Sequence, residues 1–436
     1  MAGLLPIPGS KYTTVPGDNL RTISLLAYGV ESKWQDIYTA NASAILAKNA
    51  HGVLVPGVIL YIPAKPKAKA PAATTPAAVT PPPPNPYANS DKNAIHFLVD
   101  GQEISVLTMH RKSSIDTMED EVVVEIAWTP GYDPEIDRLC KLGGYKPVQL
   151  YIGSELTLTG KIYITKNSLK NDGRTKTLTA FSNTVDVLDS TFPPTVKEWE
   201  SSHFDTIMKQ IIKGSDCSVS FPPGVRGMYF DLVESKLTET KGDMIKRLAN
   251  QSGLLGGNDV QGNFIFQDIK ALKKLQPVAT LEEGKSLPEE LDIEINGRER
   301  FRNYTAISTY PDGETTSSTA LDNDVPNSRQ LVFTAESVPK GATSTPANWA
   351  RSKRFIKVLT FPLSLSGWYT PDGSKLWAPG QMVRVKSVTM EIPNGINMII
   401  REVEQIFEGN GLKTILSVCP PEALTGEPLV TPWAVT

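Results

Sequence analysis

Apolar and polar residues alternate along most of this chain, and the period of alternation changes at a few marked places. From Ile95 to Asp189 the period is two. "EVVVEIAW" (Glu121–Trp128), "VQLYIG" (Val148–Gly153), "ELTLTGKIYIT" (Glu155–Thr165) and "TKTLTAFS" (Thr175–Ser182) alternate or run apolar between Gly, Asn and Asp turns. Such segments bury one face and wet the other, and a recurrence of roughly ten residues predicts short antiparallel strands of a barrel or sandwich. One helix interrupts them at "YDPEIDRLCKLGG", with an Asp-Pro start and a double-Gly stop.

The period then becomes helical. Phe204, Ile207, Met208, Ile211 and Ile212 fall at helix spacing before Gly214, and Met244, Ile245, Leu248 and Ala249 do so before Gly253. With the hairpin pattern "LLGGNDVQGNFIFQDI" that follows, residues 193–280 read as a small α+β unit. Strands resume at "LDIEINGRERFRNYTAISTY" and run to about Leu424, broken by one helix at "PANWARSKRFIK" with Pro346 at its start. An internal echo appears here. "VQLYIG…LTGKIYITKNSLKNDGRTKTLTAFS" and "QMVRVKSV…NMIIREVEQIFEGNGLKTILSV" both run strand, longer turn, strand, then a Gly turn into Lys-Thr and an apolar strand. The paired positions are Lys176–Thr177 and Lys413–Thr414. The shared order predicts a duplicated antiparallel barrel, residues 93–192 and 281–424, flanking the α+β insertion, with 425–436 as a tail. The fold class expected is mainly β with α+β parts.

The first 63 residues stand apart. "YTTV" reads as a strand, and Gly17–Asp18 as a turn in which Asp18 is placed to cap the helix "NLRTISLLAYG". "SKWQDIYTANASAI" is a second helix, with Trp34, Ile37, Tyr38 and Asn41 on one face, and "VLVPGVILYIP" supplies a turn and a closing strand. The sum is a βααβ module, residues 11–64. Residues 65–92 are Ala, Pro, Thr and Lys with almost nothing to bury, so they read as a linker. At ~3.1 Å per residue in polyproline II form, such a spacer reaches ~80–90 Å.

Composition narrows the function. The net charge of −3 gives no basic field for general nucleic-acid binding. Cys140, Cys217 and Cys419 lie far apart without a CxxC, which argues against a zinc site or disulfide framework and for buried thiols. "MAGLLPIPGS" is no signal peptide, and no run nears the ~18 apolar residues of a membrane span, so a soluble product made in the cytoplasm is expected. His51, His96, His110 and His203 lie in no metal motif, and neither a GxSxG elbow nor a P-loop occurs. The carboxylate clusters "MEDEVVVE" and "LEEGKSLPEELDIE" read as solvated strand ends. No catalytic residue, metal or cofactor is expected, and the chain reads as a non-enzyme.

The order of "GDNL", "W..IY.AN" and "LVPGVILYIP" closely resembles the LysM family, over Lys11 to Ala64. The resemblance implies binding of N-acetylglucosamine-containing glycans such as peptidoglycan, in a groove between the first turn and the loop after the second helix. Those positions are Gly17, Asp18, Asn19, Leu20 and Arg21, facing Ile45, Leu46, His51, Gly52 and Val53. The second loop, "AILAKNAHGV", is longer than the common form, and a structural plug that binds protein is the alternative use of the module.

Residues 94–424 resemble the baseplate hub proteins of contractile-tail phages, related to late control protein D and the hub part of type VI spike proteins. The residues that carry this are "GKIYITKNSLKNDGRTKTLTAFS", "FDTIMKQIIK", "KGDMIKRLANQSGLL", "LEEGKSLPEELDIEINGRERFRNYTAIS", "APGQMVRVKSV" and "GNGLKTILSV". The resemblance implies a homotrimer in the virion tail whose six barrels join a sixfold tube protein to a threefold spike. Other baseplate proteins would be neighbours, and DNA would pass through a polar, acidic lumen without specific binding. A LysM-targeted peptidoglycan hydrolase is the chief alternative, and a cell-wall adhesin a third.

Overall fold

The computed structural model describes residues 6–28, 33–48, 54–64, 85–170, 173–193, 197–287, 294–309, 313–335, 344–409 and 411–425. It divides into two compact units, Met1–Pro84 and Asn85–Thr436.

The first unit runs β1 (Lys11–Thr13), α1 (Leu20–Tyr28), α2 (Trp34–Lys48), β2 (Ile59–Tyr61), and its two strands pair antiparallel. Tyr12, Ile23, Ala27, Ile37, Val58, Leu60 and Ile62 fill its core. Asn41 leaves helical geometry at φ −131 and kinks α2. Its amide nitrogen donates to the Ile37 and Tyr61 carbonyls (2.8 and 2.7 Å), and its oxygen accepts from Tyr61 N–H (2.7 Å). A side-chain amide thus mimics a strand neighbour and ties the helix to β2. The expected Asp18 cap is corrected: Asn19, immediately before the helix, accepts from Thr22 N–H at 2.9 Å. Asp18 reaches back instead, accepting from Val15 N–H and the Tyr12 hydroxyl, both at 2.8 Å.

The second unit begins before residue 93. Residues 65–84 of the expected linker lie outside the described residues, but 85–92 pack on the body. The Tyr87 ring stacks on His96 at 3.8 Å, and Lys92 accepts a hydrogen bond from Tyr369 at 2.9 Å. The first strand group is β3 (Ile95–Val99), β4 (Gln102–Ile104), β5 (Thr108–Ser114), β6 (Glu121–Ala127), α3 (Pro134–Leu139), β7 (Pro147–Ile152), β8 (Glu155–Lys170), β9 (Gly173–Ser182) and α4 (Val185–Leu188). Asp133 caps α3 as the Asp-Pro pattern predicts. The middle holds β10 (Glu198–His203), α5 (Phe204–Ile211), β11 (Val219–Ser220), β12 (Tyr229–Glu234), α6 (Lys241–Gln251), β13 (Leu254–Asn258), β14 (Phe264–Asp268) and α7 (Ile269–Leu272). Every helix-spaced apolar residue named for α5 and α6 is buried, in a core with Trp199, Phe230, Phe264 and Phe266.

The last part comprises β15 (Ala279–Glu282), β16 (Asn303–Thr309), β17 (Thr315–Leu321), β18 (Gln330–Ala335), α8 (Ser344–Val358), β19 (Phe361–Ser366), β20 (Met382–Ser387), β21 (Ile392–Glu408), β22 (Gly411–Cys419) and α9 (Pro421–Thr425). β16, β17 and β18 form a three-stranded sheet of their own, with Ala347 of α8 in its core, so residues 303–335 do not join the main sheet as expected.

Strands hold 41% of the chain and helices 21%, which makes the class mainly β. Twelve strands form one sheet in the order β15-β20-β21-β5-β6-β9-β8-β7-β3-β4, with β22 on β21 and β19 on β22. Among the described residues no closed barrel is detected. The reason lies in β21, which is long enough for two neighbours. Ile392–Ile399 pairs with β20, and Glu402–Phe407 pairs with β5 from the first group.

The repeat is real in topology. The order β6-β9-β8-β7 recurs as β19-β22-β21-β20, all antiparallel. Each long strand carries a bulge seven residues before its hairpin end, where it pairs with the last strand of its repeat: Tyr163 in β8 and Arg401 in β21. The two bulges face corresponding pairs, Thr179–Ala180 and Ser417–Val418. The Lys-Thr echo is not part of this equivalence. Counted from the hairpin glycines Gly173 and Gly411, Lys176 matches Thr414, both buried, whereas Lys413 is exposed. A one-residue offset puts side chains on opposite faces of a strand.

Gly160 sits where β8 crosses β9. A Cβ there would lie 1.8 Å from the Phe181 carbonyl oxygen, a backbone atom that cannot yield without breaking the ladder. Gly160→Ala is expected to lower body stability by about 3 kcal/mol. Gly297→Ala, whose Cβ meets open space, should change it by under about 0.5 kcal/mol. Denaturant unfolding of both variants checks the difference.

Candidate functional site

In the first unit the structure gathers Gly17 to Arg21 at one corner, the turn before α1 and its first two residues. Gly17 has φ +94, which glycine adopts without strain, and nothing crowds it. Asn19 and Arg21 are exposed, with the Arg21 guanidinium 5.9 Å from the Trp34 ring centre, while Leu20 packs partly on the core. Burial and the Asp18 carboxylate together push the Tyr12 hydroxyl up to about 12, so it stays a proton donor to Asp18. Ile45, assigned to the far side of the groove, is 6% exposed and belongs to the core. Leu46 lies in α2 with its side chain outside the described residues, as do His51, Gly52 and Val53 entirely.

In the second unit the notable surface lies across the seam β21–β5–β6. Alternation decides its makeup. On β6, Val122, Val124 and Ile126 are fully buried, which turns Glu121, Val123 and Glu125 outward. On β5, Met109, Arg111 and Ser113 point in, leaving Thr108, His110 and Lys112 out. Glu402, Glu404 and Glu408 share the outer face of β21. The result is a shallow groove of about 450 Å³ lined by Glu121, Glu125, Glu404 and Glu408 against one lysine and one histidine. His110 Nε2 lies 2.7 Å from Glu408, and Lys112 lies 3.2 Å from Glu402. Glu121 and Glu125 have no cation within salt-bridge distance among the described residues. Five carboxylates over one lysine and one histidine leave this face negative, so it repels anions.

Beneath that face sits Arg111, 5% exposed on β5. Nη1 donates to Gln405 of β21 (2.8 Å), and Nη2 to the Thr157 carbonyl of β8 (2.9 Å) and to Asp120 before β6 (3.3 Å). One guanidinium therefore joins three strands from both repeats and the segment leading into β6. Burial lowers its proton affinity and pushes the Asp120 carboxyl up to about 6, against the pull of Arg111. The Asp120 carbonyl and N–H are also held by Ser182.

Two acidic clusters differ from their reading as solvated ends. Asp120 in "MEDE" is 4% exposed. Glu283 accepts from Ser387, Thr389 N–H and the Thr389 hydroxyl, which holds its carboxyl down at about 2 and fixes the β20–β21 turn. The signal for Arg111 was present in the alternation of "TMHRKSS", where a charge falls on an inward position. The three cysteines are buried, and burial pushes their thiols up to about 11, 11 and 12. Lys176 is buried too, donating to the Cys140 carbonyl at 2.9 Å with its ammonium 4.3 Å from the Trp128 ring centre. Neither these groups nor the face makes a nucleophile–base arrangement.

Residues 340–427, the stretch holding α8 to α9, match the family described as Mu phage baseplate assembly protein GpP, fourth domain. The fold is similar to that of the 43 kDa tail protein of prophage MuSo2 from Shewanella oneidensis, with TM-score 0.64 and 20% identity over 76% of this chain and 99% of that one. A tail protein from Neisseria meningitidis MC58 is similar at TM-score 0.64 and 17% identity, over 76% and 98%. No curated protein matches by sequence. At these identities the likeness establishes a tail-protein fold over three quarters of the chain.

Arg111→Met would strand Asp120 in the interior, at an expected cost of about 3–5 kcal/mol at pH 8. Because the Asp120 carboxyl is raised in the folded state, its stabilising protonation is present at low pH and lost as pH rises through about 6. Without Arg111 it rises further, so the loss should be smaller at pH 5 than at pH 8. Chemical unfolding at the two pH values checks this, and an equal loss at both would overturn the assignment.

Proposed function

We propose that this chain is a structural hub of a contractile phage-tail baseplate, without enzyme activity of its own. The observation that carries the reading is the duplicated four-strand unit with its bulge at the same place in each copy. A chain with two such units yields six in a trimer, which is how a threefold spike meets a sixfold tube. The baseplate family match over 340–427 and the tail-protein fold support the same reading. The negative seam face then lines the channel, and passing DNA is kept in solution instead of adsorbed. Tube, spike and other baseplate proteins are the partners, and the virion tail is the location.

The first unit serves as a LysM-type module for peptidoglycan. What supports it is the βααβ order and the corner from Gly17 to the start of α1, where Gly17, Asn19 and Arg21 are exposed. With Ile45 in the core, the apolar side of such a groove falls to exposed residues, among which the turn contributes Val15.

Three measurements test the proposal. Mixed with its tube and spike partners, the chain should sediment as a trimer; a monomer in that mixture would refute the hub. Zymograms on purified peptidoglycan should stay uncleared, and clearing would favour a hydrolase. Insoluble peptidoglycan should retain the full chain, with Arg21→Ala weakening retention several-fold, about 1 kcal/mol for a lost surface contact; no retention of the unaltered chain would leave the module a protein-binding plug.

A further inference from the structure

Away from the seam, residues 85–93 fold back on the body and meet the outer face of β3 and β4. Alternation places the fixed half of that contact. Phe97 and Val99 of β3 and Ile104 of β4 enter the core, which turns His96 and Glu103 outward. Glu103 pairs with Leu98, two residues along from His96, so the two side chains are diagonal neighbours. His96 Nδ1 lies 2.7 Å from Glu103 Oε1, and Nε2 lies 2.6 Å from Ser90 Oγ. The Tyr87 ring stacks on the imidazole at 3.8 Å and gives its hydroxyl to the other Glu103 oxygen at 3.1 Å. Asn85 holds the segment down by donating to the Ser154 carbonyl at 2.6 Å. Ser90 is half-buried and Glu103 exposed, so the cluster opens to solvent.

Donors and acceptors fix the protons. A carboxylate only accepts, so Nδ1 carries the proton of the neutral imidazole and Nε2 is left as the acceptor. The Ser90 hydroxyl donates to it; the alternative acceptor, the Asp91 carbonyl, is farther at 3.4 Å. A serine bonded to a base whose far nitrogen is held by a carboxylate is an activated nucleophile.

We propose that Ser90 is an acyl-acceptor site for activated esters, that is, aryl esters or thioesters. Ser90 Oγ attacks the ester carbonyl carbon and forms the new O–C bond as His96 Nε2 takes the hydroxyl proton. The carbonyl electron pair moves onto its oxygen and returns as the bond to the leaving group breaks, and His96 gives the proton to the departing oxygen or sulfur. Glu103 is the positioning residue, holding the ring and stabilising the imidazolium between the two transfers. The products are O-acyl Ser90 and a free phenol or thiol, with nothing oxidised or reduced. The Ser90 N–H is already engaged by the Tyr87 carbonyl at 2.9 Å, so it gives the oxyanion no support. One such missing donor costs about 10²–10³ in rate. An activated ester reacts in spite of this because its leaving group is good. The acyl-serine is an ordinary alkyl ester and stays. Ser90 is thus modified once without turnover, and the site neither needs nor contradicts the hub reading.

The test treats the full chain with p-nitrophenyl acetate and follows nitrophenol release and peptide masses. The expected result is a burst of about one equivalent, with the acetyl group on the peptide that holds Ser90. His96→Gln should slow acetylation of Ser90 at least about a hundredfold. Glu103→Gln can offer an N–H to Nδ1 and so turn Nε2 into a donor, and should slow it comparably, while Glu103→Asp restores most of the rate. A merely structural Glu103 predicts the opposite order, because Gln matches its shape better than Asp. Unfolding midpoints show that each variant is folded. Acetyl groups found on lysines alone, or Ser90 acetylated equally fast in His96→Gln, overturn the proposal and leave the hub standing.

Discussion

The body depends on one strand having two neighbours along a single edge. β21 pairs first with β20 of its own repeat and then, past the bulge at Arg401, with β5 of the other. A bulge inserts one residue, bends the strand and increases its twist, which lets the far half leave one partner for the next. The bulged side chain is itself anchored: Arg401 Nε donates to Asp116 at 2.7 Å, just after β5. The counterpart Tyr163 hydroxyl donates to Asp186 at 2.6 Å, so both bulges are pinned by a carboxylate. Arg111 then closes the junction from the inside. A buried guanidinium is costly to desolvate, and a well-packed apolar side chain would serve stability as well or better. What the ion pair adds is position, because its donors fit only when β5, β8 and β21 are in register.

The two apolar cores reflect this join. Trp368 and Leu376, between β19 and β20 of the second repeat, are buried among Phe97, Val122, Leu150 and Leu178 of the first. The second repeat keeps a core of its own around Leu363, Trp377, Val383 and Leu416. The repeats therefore do not fold as two beads. The second contributes to the interior of the first, and the sheet that carries the negative face is continuous across them.

Local order was legible in the sequence because it is written within a few residues. Period-two runs located β6, β7, β8 and β9, helix spacing found every core residue named for α5 and α6, and Asp-Pro marked the start of α3. Pairing between Met109 and Phe407 was not legible, since the partners lie almost three hundred residues apart and nothing in either strand names the other. The same distance hid the site. Glu404 and Glu408 become part of one surface with Glu121 and Glu125 only through the seam. Lys-Thr misled for a simpler reason: identity of letters ignores the hairpin register, and one residue of slip inverts the face. At Asp18 a neighbour took the expected role, because the helix begins one residue too late for Asp18 to be its cap.

A net charge of −3 over the whole chain says little about any one surface. Screening limits the reach of a charge to about 8–10 Å at physiological salt, so a passing polyanion senses the nearest face and not the total. Alternation segregates charge on that scale. Strands β5, β6 and β21 send most of their apolar residues and Arg111 inward and so leave carboxylates outward, with the cation that would have offset them buried on the other side. The placement of Arg111 beneath the face thus has two effects from one position. It fixes the register that brings the carboxylates together, and it keeps its own contacts away from the surface where a bound anion would otherwise find them.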